Sequence, residues 1–397
     1  MSRVDRWLLP EGIEEVLPEK ARRLERMRRR VLDLFHTWGY DLVMPPLIEY
    51  LEALLTGVGR ELDLRTFKIT DQLTGRLMGV RPDMTPQAAR IDAHYLKSEA
   101  PTRLCYIGPV LRTRPDEFAG SREPLQLGAE LFGDNGIDSD IEVLNLMLAT
   151  LNLIGIPDMH LELGHVGVFR GLAQNAGLTP ERETELFNAL QRKARPEVAA
   201  MVADWGLPAA SREHFLGLVA LNGDEAVLDE ARSRCGGAGD NVVRALEELQ
   251  TVTGRIKAGR PGMPLFFDLA ELSGYGYYTG LVFSVFVPGH GRAVARGGRY
   301  DGIGKAFGRG RPATGFGADL RELLALAPVE AEAASGIFAP AAGDVALEET
   351  IDRLRAQGER VVRQLGGNPA SADALGCDRE LELQDGEWVV KERVKDG

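Results

Sequence analysis

The chain of 397 residues holds only three cysteines, Cys105, Cys235 and Cys377, far apart and odd in number. They offer no disulfide framework and no zinc spacing, and they fit a reducing cytosol. No run of about 18 apolar residues occurs, so no membrane-spanning helix is expected. Residues 1–12 are too charged to read as a secretory leader, and the expected location is cytoplasmic. Positive charge is in deficit: 47 Lys and Arg against 59 Asp and Glu give a net charge of −12. A whole-surface appetite for nucleic acid is therefore not expected, although a local basic patch is compatible with that balance. The six histidines, His36, His94, His160, His165, His214 and His290, do not cluster at ligand spacing, so neither a metal nor another cofactor is expected. Gly274-Tyr275-Gly276 with Gly280 does not fit the dinucleotide fingerprint, and a hairpin is expected there. Gly304-Lys305 resembles the end of a phosphate loop, but Ala306 stands where a hydroxyl is needed and Arg299 where the first glycine is needed.

What is present reads as an ordinary globular chain, 44% apolar and 27% charged, long enough for two or three domains. Leu24, Met27, Val31, Leu34, Phe35 and Trp38 recur at helical spacing after Pro18, and Gly39 suits the stop. Arg22, Arg23, Arg26, Arg29 and Arg30 on that helix read as a solvated face rather than a nucleic-acid stripe. Strand-like runs follow at 40–44, 66–70, 76–79, 103–111 and 125–132. The short gap Asp71-Gln72-Leu73-Thr74-Gly75 favours antiparallel pairing. A helix over 141–152 and a strand over 159–163 come next. From about 167 to 262, helical patterns begin near Thr179, Pro196, Ser211, Asp224 and Asp240, separated by Gly and Pro, and read as an inserted helical subdomain. Strands return at 265–269, 277–287 and 292–296, with a helix at 320–326. Residues 327–335 are rich in Ala and Glu and read as a linker. Residues 336–397 form a small α/β tail, marginal as an independent fold.

Four segments carry chemistry in a fixed order. The first runs from Gly12 to Glu49, with Gly39-Tyr40, Pro45-Pro46 and Glu49 after the long helix. The second is Val80-Arg81-Pro82-Asp83-Met84-Thr85. The third runs from Tyr106-Ile107-Gly108-Pro109-Val110-Leu111-Arg112 to Gln126-Leu127-Gly128-Ala129-Glu130-Leu131-Phe132-Gly133. The fourth joins Tyr277-Tyr278-Thr279-Gly280, Gly297-Gly298-Arg299-Tyr300-Asp301-Gly302 and Gly315-Phe316. Singly, Asp83 or Glu130 would read as a structural ion pair. Together, in this order and spacing, the segments resemble the histidyl-tRNA synthetase catalytic core over about residues 5–326.

The resemblance implies an α+β, class II aminoacyl-tRNA synthetase-like fold: an antiparallel sheet flanked by helices, with a helical insertion, in a core of residues 1–326. It implies a self-dimer built on the first motif and a pocket for free histidine. Carried over residue by residue, Asp83, Thr85, Gln126 and Glu130 hold the amino acid, with Tyr278 and Tyr300 as the pocket tyrosines. A free amino acid brings an α-ammonium that needs carboxylate and amide acceptors, and an imidazole that needs polar partners and an aromatic wall. Arg112 reads either as the partner of the histidine carboxylate or as an inherited structural pair.

The departures decide the expected function. The family carries Arg-Gly-Leu-Asp before the two tyrosines; here Ser273 takes the arginine position and Gly276 the acid position. The third class II motif ends in an arginine that grips ATP phosphates; here Ala318-Asp319-Leu320-Arg321-Glu322 places Glu322 at that position, and Arg321 points about 100° away from its neighbour on a helix. The loop acid before Arg114-Pro115 is also absent. Phosphoryl chemistry needs positioned cations, so adenylate formation should be disabled. A synthetase-like core without these arginines, and with a tail shorter than an anticodon-binding domain, resembles the regulatory subunits of ATP phosphoribosyltransferase, the first enzyme of histidine biosynthesis. That resemblance implies the short-form ATP phosphoribosyltransferase catalytic subunit as partner, histidine as feedback effector, no catalytic residues of its own, and no tRNA ligand. The other reading left open is a working histidyl-tRNA synthetase with divergent motifs.

Overall fold

The computed structural model describes residues 7–56, 60–115, 120–270, 276–328, 336–366 and 370–393. The chain divides into two compact units, 1–328 and 329–397. The linker expected over 327–335 falls almost wholly outside the described residues, as do Ser273 and most of the hairpin expected around Gly274.

The first unit is organised by a nine-stranded sheet. Its strands run in the order Asp41–Leu42, Thr102–Pro109, Leu125–Phe132, Ala313–Asp319, Ala295–Arg299, Leu281–Phe286, His160–His165, Leu265–Asp268 and Asn222–Gly223. The expected antiparallel pairing holds through the middle of the sheet. Asp41–Leu42 against Thr102–Pro109 and His160–His165 against Leu265–Asp268 are parallel, which makes the sheet mixed. Period-2 alternation explains its two faces. Leu127, Ala129 and Leu131 point into a core with Val31 and Phe35 of the helix Pro18–Thr37 and Leu144 and Met147 of the helix Ile137–Ile154. Gln126, Gly128 and Glu130 of the same strand face the other way, toward the cavity described below.

The first helix begins on its own proline and ends where Gly39 turns at φ +80°. Its arginines are not all idle. Arg29 pairs with Glu25 one turn earlier at 3.0 Å, and Arg23 donates to the carbonyls of Ala327 and Pro328 at 3.2 and 2.8 Å. A second, three-stranded antiparallel sheet orders Ile48–Tyr50, Leu77–Val80 and Phe67–Thr70. Its turn closes as the sequence suggests, with Asp71 Oδ1 accepting from Leu73 N at 3.1 Å and Gly75 at φ +72°.

The inserted helices are Val166–Asn175, Pro180–Gln191, Arg195–Asp204, Ala209–Leu218, Ala226–Cys235 and Asp240–Gly259. Phe169 packs against Phe187 and Phe215 with centroids 6.4 and 6.2 Å apart. Lys193 returns to the sheet, where its Nζ meets both carboxylate oxygens of the mostly buried Asp268 at 2.5 and 2.6 Å.

The second unit has a four-stranded sheet in the order Val361–Arg363, Ile337–Ala339, Arg379–Gln384, Glu387–Glu392, covered by the helix Val345–Ala356. Asp344 caps that helix at Ala346 N, 3.1 Å, and accepts Trp388 Nε1 at 2.6 Å. Asp385 and Gly386, at φ +50° and +88°, make the two-residue hairpin turn that this dipeptide favours. Ile337, Leu347, Ile351 and Leu381 form its own small core.

Candidate functional site

The strand Leu125–Phe132 lies at the centre of the sheet, flanked by Thr102–Pro109 and Ala313–Asp319. Glu130 stands on its open face, 1% exposed. Tyr106 Oη donates to its Oε1 at 2.8 Å, and Tyr300 Oη donates to its Oε2 over a short contact. Thr85 Oγ1 stands 2.9 Å from Tyr106 Oη, extending the chain of hydroxyls. Burial pushes the Glu130 carboxyl up to about 8 against the two tyrosine bonds that favour its charge. The same burial, with Glu130 close by, holds Tyr106 and Tyr300 well above the ordinary phenol range.

Glycines make this arrangement possible. Gly315 is the register partner of Glu130, and a Cβ there would lie 1.6 Å from Glu130 Oε2. Gly128 is the partner of Tyr106, and its Cβ would lie 2.5 Å from the phenol carbon and oxygen. The tyrosine therefore lies flat across the neighbouring strand and reaches the carboxylate.

A second group sits beside the first. Gln126 Nε2 donates to Asp83 Oδ1 at 2.8 Å, and its Oε1 accepts Met84 N at 2.9 Å. Asp83 Oδ1 also accepts Thr85 N at 2.9 Å. The Arg81-Pro82 step that presents Asp83 is anchored from beneath: buried Arg81 donates from Nη1 to Pro45 O at 2.6 Å and from Nε to Pro109 O at 2.9 Å. The prolines of the first motif thus serve the placement of the second. Glu49 of that motif is likewise structural, bonded to Gln87 and Arg90.

Both groups open onto one cavity of about 490 Å³. Asp83, Thr85, Arg112, Gln126, Glu130, Tyr278 and Tyr300, the residues singled out from the sequence, all line it. The sequence reading passed over several others. Tyr277 stacks on Tyr300 at 4.9 Å between centroids and meets Tyr278 edge-on at 5.2 Å. Its place in the Tyr277-Tyr278 doublet was the available signal. Arg65, Arg292 and Arg296 also line the cavity, so Arg112 is not the sole cation there. Arg65 ends a short helix, Arg292 lies in a bend and Arg296 in the strand that follows it; they form no motif, which is why pattern reading misses them.

Glu322 lines the same cavity, where the sequence comparison expects it opposite phosphate. It accepts His290 Nε2 at 2.5 Å and Arg292 Nε at 2.8 Å. Arg321 does not line it, and pairs with Glu123 at 3.5 Å. Asp319 caps the helix Leu320–Leu326 at Arg321 N, 3.0 Å, and burial raises its carboxyl. Among the described residues no cluster of His, Cys, Asp and Glu is arranged to hold a metal ion, and no helix is long and apolar enough to cross a membrane.

Residues 12–323 match the family model for histidyl-tRNA synthetase. Residues 334–391 match that for the ATP phosphoribosyltransferase subunit HisZ C-terminal domain. Over 382 residues the chain is 58% identical to the ATP phosphoribosyltransferase regulatory subunit of Thioalkalivibrio sulfidiphilus, covering 96% of this chain and 97% of the relative. The protein of that name from Pseudomonas aeruginosa is 55% identical over 392 residues, 98% of this chain and 99% of the relative. The crystal structure of an ATP phosphoribosyltransferase regulatory subunit/histidyl-tRNA synthetase from Bacillus halodurans superposes with a TM-score of 0.80 at 29% identity, covering 93% of this chain and 95% of that one. Histidyl-tRNA synthetase from Nostoc shares the fold, with a TM-score of 0.77 at 18% identity over 97% of each chain.

Proposed function

The chain belongs to the family of ATP phosphoribosyltransferase regulatory subunits, and from that membership we propose that it is the non-catalytic partner of the short-form catalytic subunit, required for its activity and for its feedback by histidine. The cavity is the effector site. Glu130 takes the α-ammonium of free histidine, Asp83, Thr85 and Gln126 surround it, Tyr278 and Tyr300 wall the ring, and Arg112 stands at the rim. The observation that carries this is the buried Glu130 between two tyrosine hydroxyls. A carboxyl pushed up by burial is stabilised as an anion by an incoming cation, which gives the pocket a reason to prefer an ammonium ligand. An end product held here biases the partner only if it binds the two states of the complex unequally.

The protein is catalytically silent as a synthetase. Glu322, already holding His290 and Arg292, puts an anion where a phosphate would need a cation. It works in the cytosol, where its three cysteines, all free and buried, stay reduced. It self-associates through the first motif: Asp41–Leu42 is an edge strand, and Met44 beside it is 76% exposed. The functional core spans residues 1–326 with its insertion at about 167–262, and 336–397 is a separate small domain.

Titration calorimetry of histidine tests the site. Removing one side of a buried charged hydrogen bond costs about 2–5 kcal/mol, and each 1.4 kcal/mol is about tenfold. Glu130→Ala should therefore weaken binding at least about thirtyfold and relieve inhibition of the complex, while assembly survives. Unchanged affinity would place the effector site elsewhere.

A further inference from the structure

The sheet of the second unit ends on the strand Glu387–Glu392, and among the described residues of that unit no strand lies on its outer side. The opposite edge, Val361–Arg363, is only three residues long, and its Arg363 is tied to Glu348 and to the Ala342 carbonyl. The outer strand runs for six residues without proline or bulge. A long regular edge that carries apolar residues is ready to pair with a further strand.

Register tells which backbone groups face outward. Gln384 and Glu387 flank the two-residue turn Asp385-Gly386 and so form a hydrogen-bonded pair. Alternation then turns the N–H and C=O of Glu387, Val389 and Lys391 inward, toward Arg379–Gln384. Arg393 keeps the same phase, its N donating to Asp378 O at 2.9 Å. Trp388, Val390 and Glu392 therefore present their backbone groups to the open edge. Val390 is 38% exposed, and Leu383, the cross-strand neighbour of Trp388, is 57% exposed.

The strand is chemically its own complement. Glu387-Trp388-Val389-Val390-Lys391 carries an acid at one end, a base at the other and three apolar residues between. Set antiparallel to a copy of itself about Val389, it places Glu387 opposite Lys391 twice, Trp388 opposite Val390 twice, and Val389 opposite Val389. The outward residues Trp388 and Val390 then exchange both backbone hydrogen bonds. Other registers that keep outward groups facing are worse matched. A shift one way sets Val389 opposite Lys391 and Trp388 opposite Glu392, and a shift the other way sets Glu387 opposite Val389. In the matched register, Leu383 and Trp388 of one copy and Val390 and Leu381 of the second form one apolar row across four strands. Lys391 already meets Glu382 of its own chain. An ammonium has three donors, so Glu387 of the second copy adds a bond without breaking that one.

We propose that Glu387–Glu392 is a self-docking edge, where two copies of this chain pair as antiparallel strands centred on Val389 and join two four-stranded sheets into one of eight. The contact is isologous, with its two-fold axis at Val389. It lies on the second unit, apart from the first motif, and it rests on neither the effector reading nor the cavity. A subunit with two different two-fold contacts assembles beyond a dimer.

Sedimentation velocity on the full chain, over a micromolar concentration series, tests this with charge variants. Glu387→Lys and Lys391→Glu each set like charges face to face at two places, and each should weaken association at this edge at least about tenfold. Wild type should therefore sediment at no less than twice the mass of either variant. An equimolar mixture of the two variants should regain the wild-type mass, since each offers the other its opposite charges. The doubly exchanged chain, Glu387→Lys with Lys391→Glu, should regain it alone. Val390→Pro removes an outward N–H without changing charge and should give the lighter species. Glu387 is exposed, so Glu387→Lys should keep the wild-type melting temperature. Equal masses for wild type and Glu387→Lys at every concentration would overturn the assignment, as would a mixture that stays light while both variants keep their melting temperature. A wild type as light as the variants, with Glu387→Lys failing to join the short-form catalytic subunit, would give this edge to that partner and overturn the self-pairing.

Discussion

Glu130 owes its place to residues that lack side chains. Gly315 opposite it leaves room for its carboxylate, since a Cβ would come within 1.6 Å. Gly315→Ala should therefore cost about 1–3 kcal/mol as an overpacked site and abolish histidine binding; urea unfolding and calorimetry read the two effects separately. The raised carboxyl gives a second test. Glu130 moves from an ordinary 4.5 to about 8 on folding. A group raised in this direction contributes stability in its neutral form below about pH 4.5, and that contribution is lost as pH climbs through about 8. Glu130→Gln stays neutral throughout. The wild type should thus lose melting temperature relative to Glu130→Gln between pH 5 and pH 8.5, and parallel curves would contradict the burial argument. Histidine binding should release a proton near pH 7, visible as a buffer-dependent binding enthalpy. At this scale the sequence was informative: seven pocket residues were legible because they sit in ordered motifs. Arg296 was not, since only sheet register brings it to the cavity, and Arg292 was not, since it lies in a bend before that strand and belongs to no motif.

Helices were easier to read than strands, and the reason is physical. The amphipathic helix Pro18–Thr37 and the insertion helices from Pro180 to Gly259 carry their own period, caps and stops. The strand Ala313–Asp319 does not announce itself. Ala-Thr-Gly-Phe-Gly-Ala-Asp has poor strand propensity because its glycines keep the cavity open, so local preference yields to the site. The helix Val166–Asn175 was missed for a related reason: it opens Val-Gly-Val-Phe, which reads as strand and turn, and it is set by His165, whose Nδ1 caps Gly167 N at 3.0 Å. The parallel pairings at the sheet margins were invisible because they join segments distant in sequence. Elements are also tied by single side chains. Buried Arg299 donates to Asp134 O, Gly136 O, Ser139 Oγ and Asp140 Oδ2 at the start of the helix Ile137–Ile154. Arg299→Met would orphan a buried carboxylate and two carbonyls. It should cost about 3–5 kcal/mol in urea unfolding, far beyond an exposed arginine such as Arg29.

For the whole molecule, the question is how a synthetase-like core serves without synthetase chemistry. On the proposed function, the Glu130 and Asp83 clusters, each closed by hydrogen bonds, form the amino-acid end of the sheet face. Elsewhere on the cavity wall stands Glu322, which accepts from His290 and Arg292. On the proposed function this arrangement keeps binding and gives up turnover, which is what an effector-responsive subunit requires. Two outcomes follow for the full chain. Histidine-dependent pyrophosphate–ATP exchange should stay at background. Ser273→Arg alone should not raise it, because Glu322 still opposes phosphate. Mixed with the short-form catalytic subunit, the chain should elute as one symmetric hetero-complex and raise phosphoribosyltransferase activity, since a two-fold dimer offers the partner two equivalent surfaces. Two independent species at micromolar concentration, or robust exchange by the chain alone, would mean that the inherited pocket serves a different end.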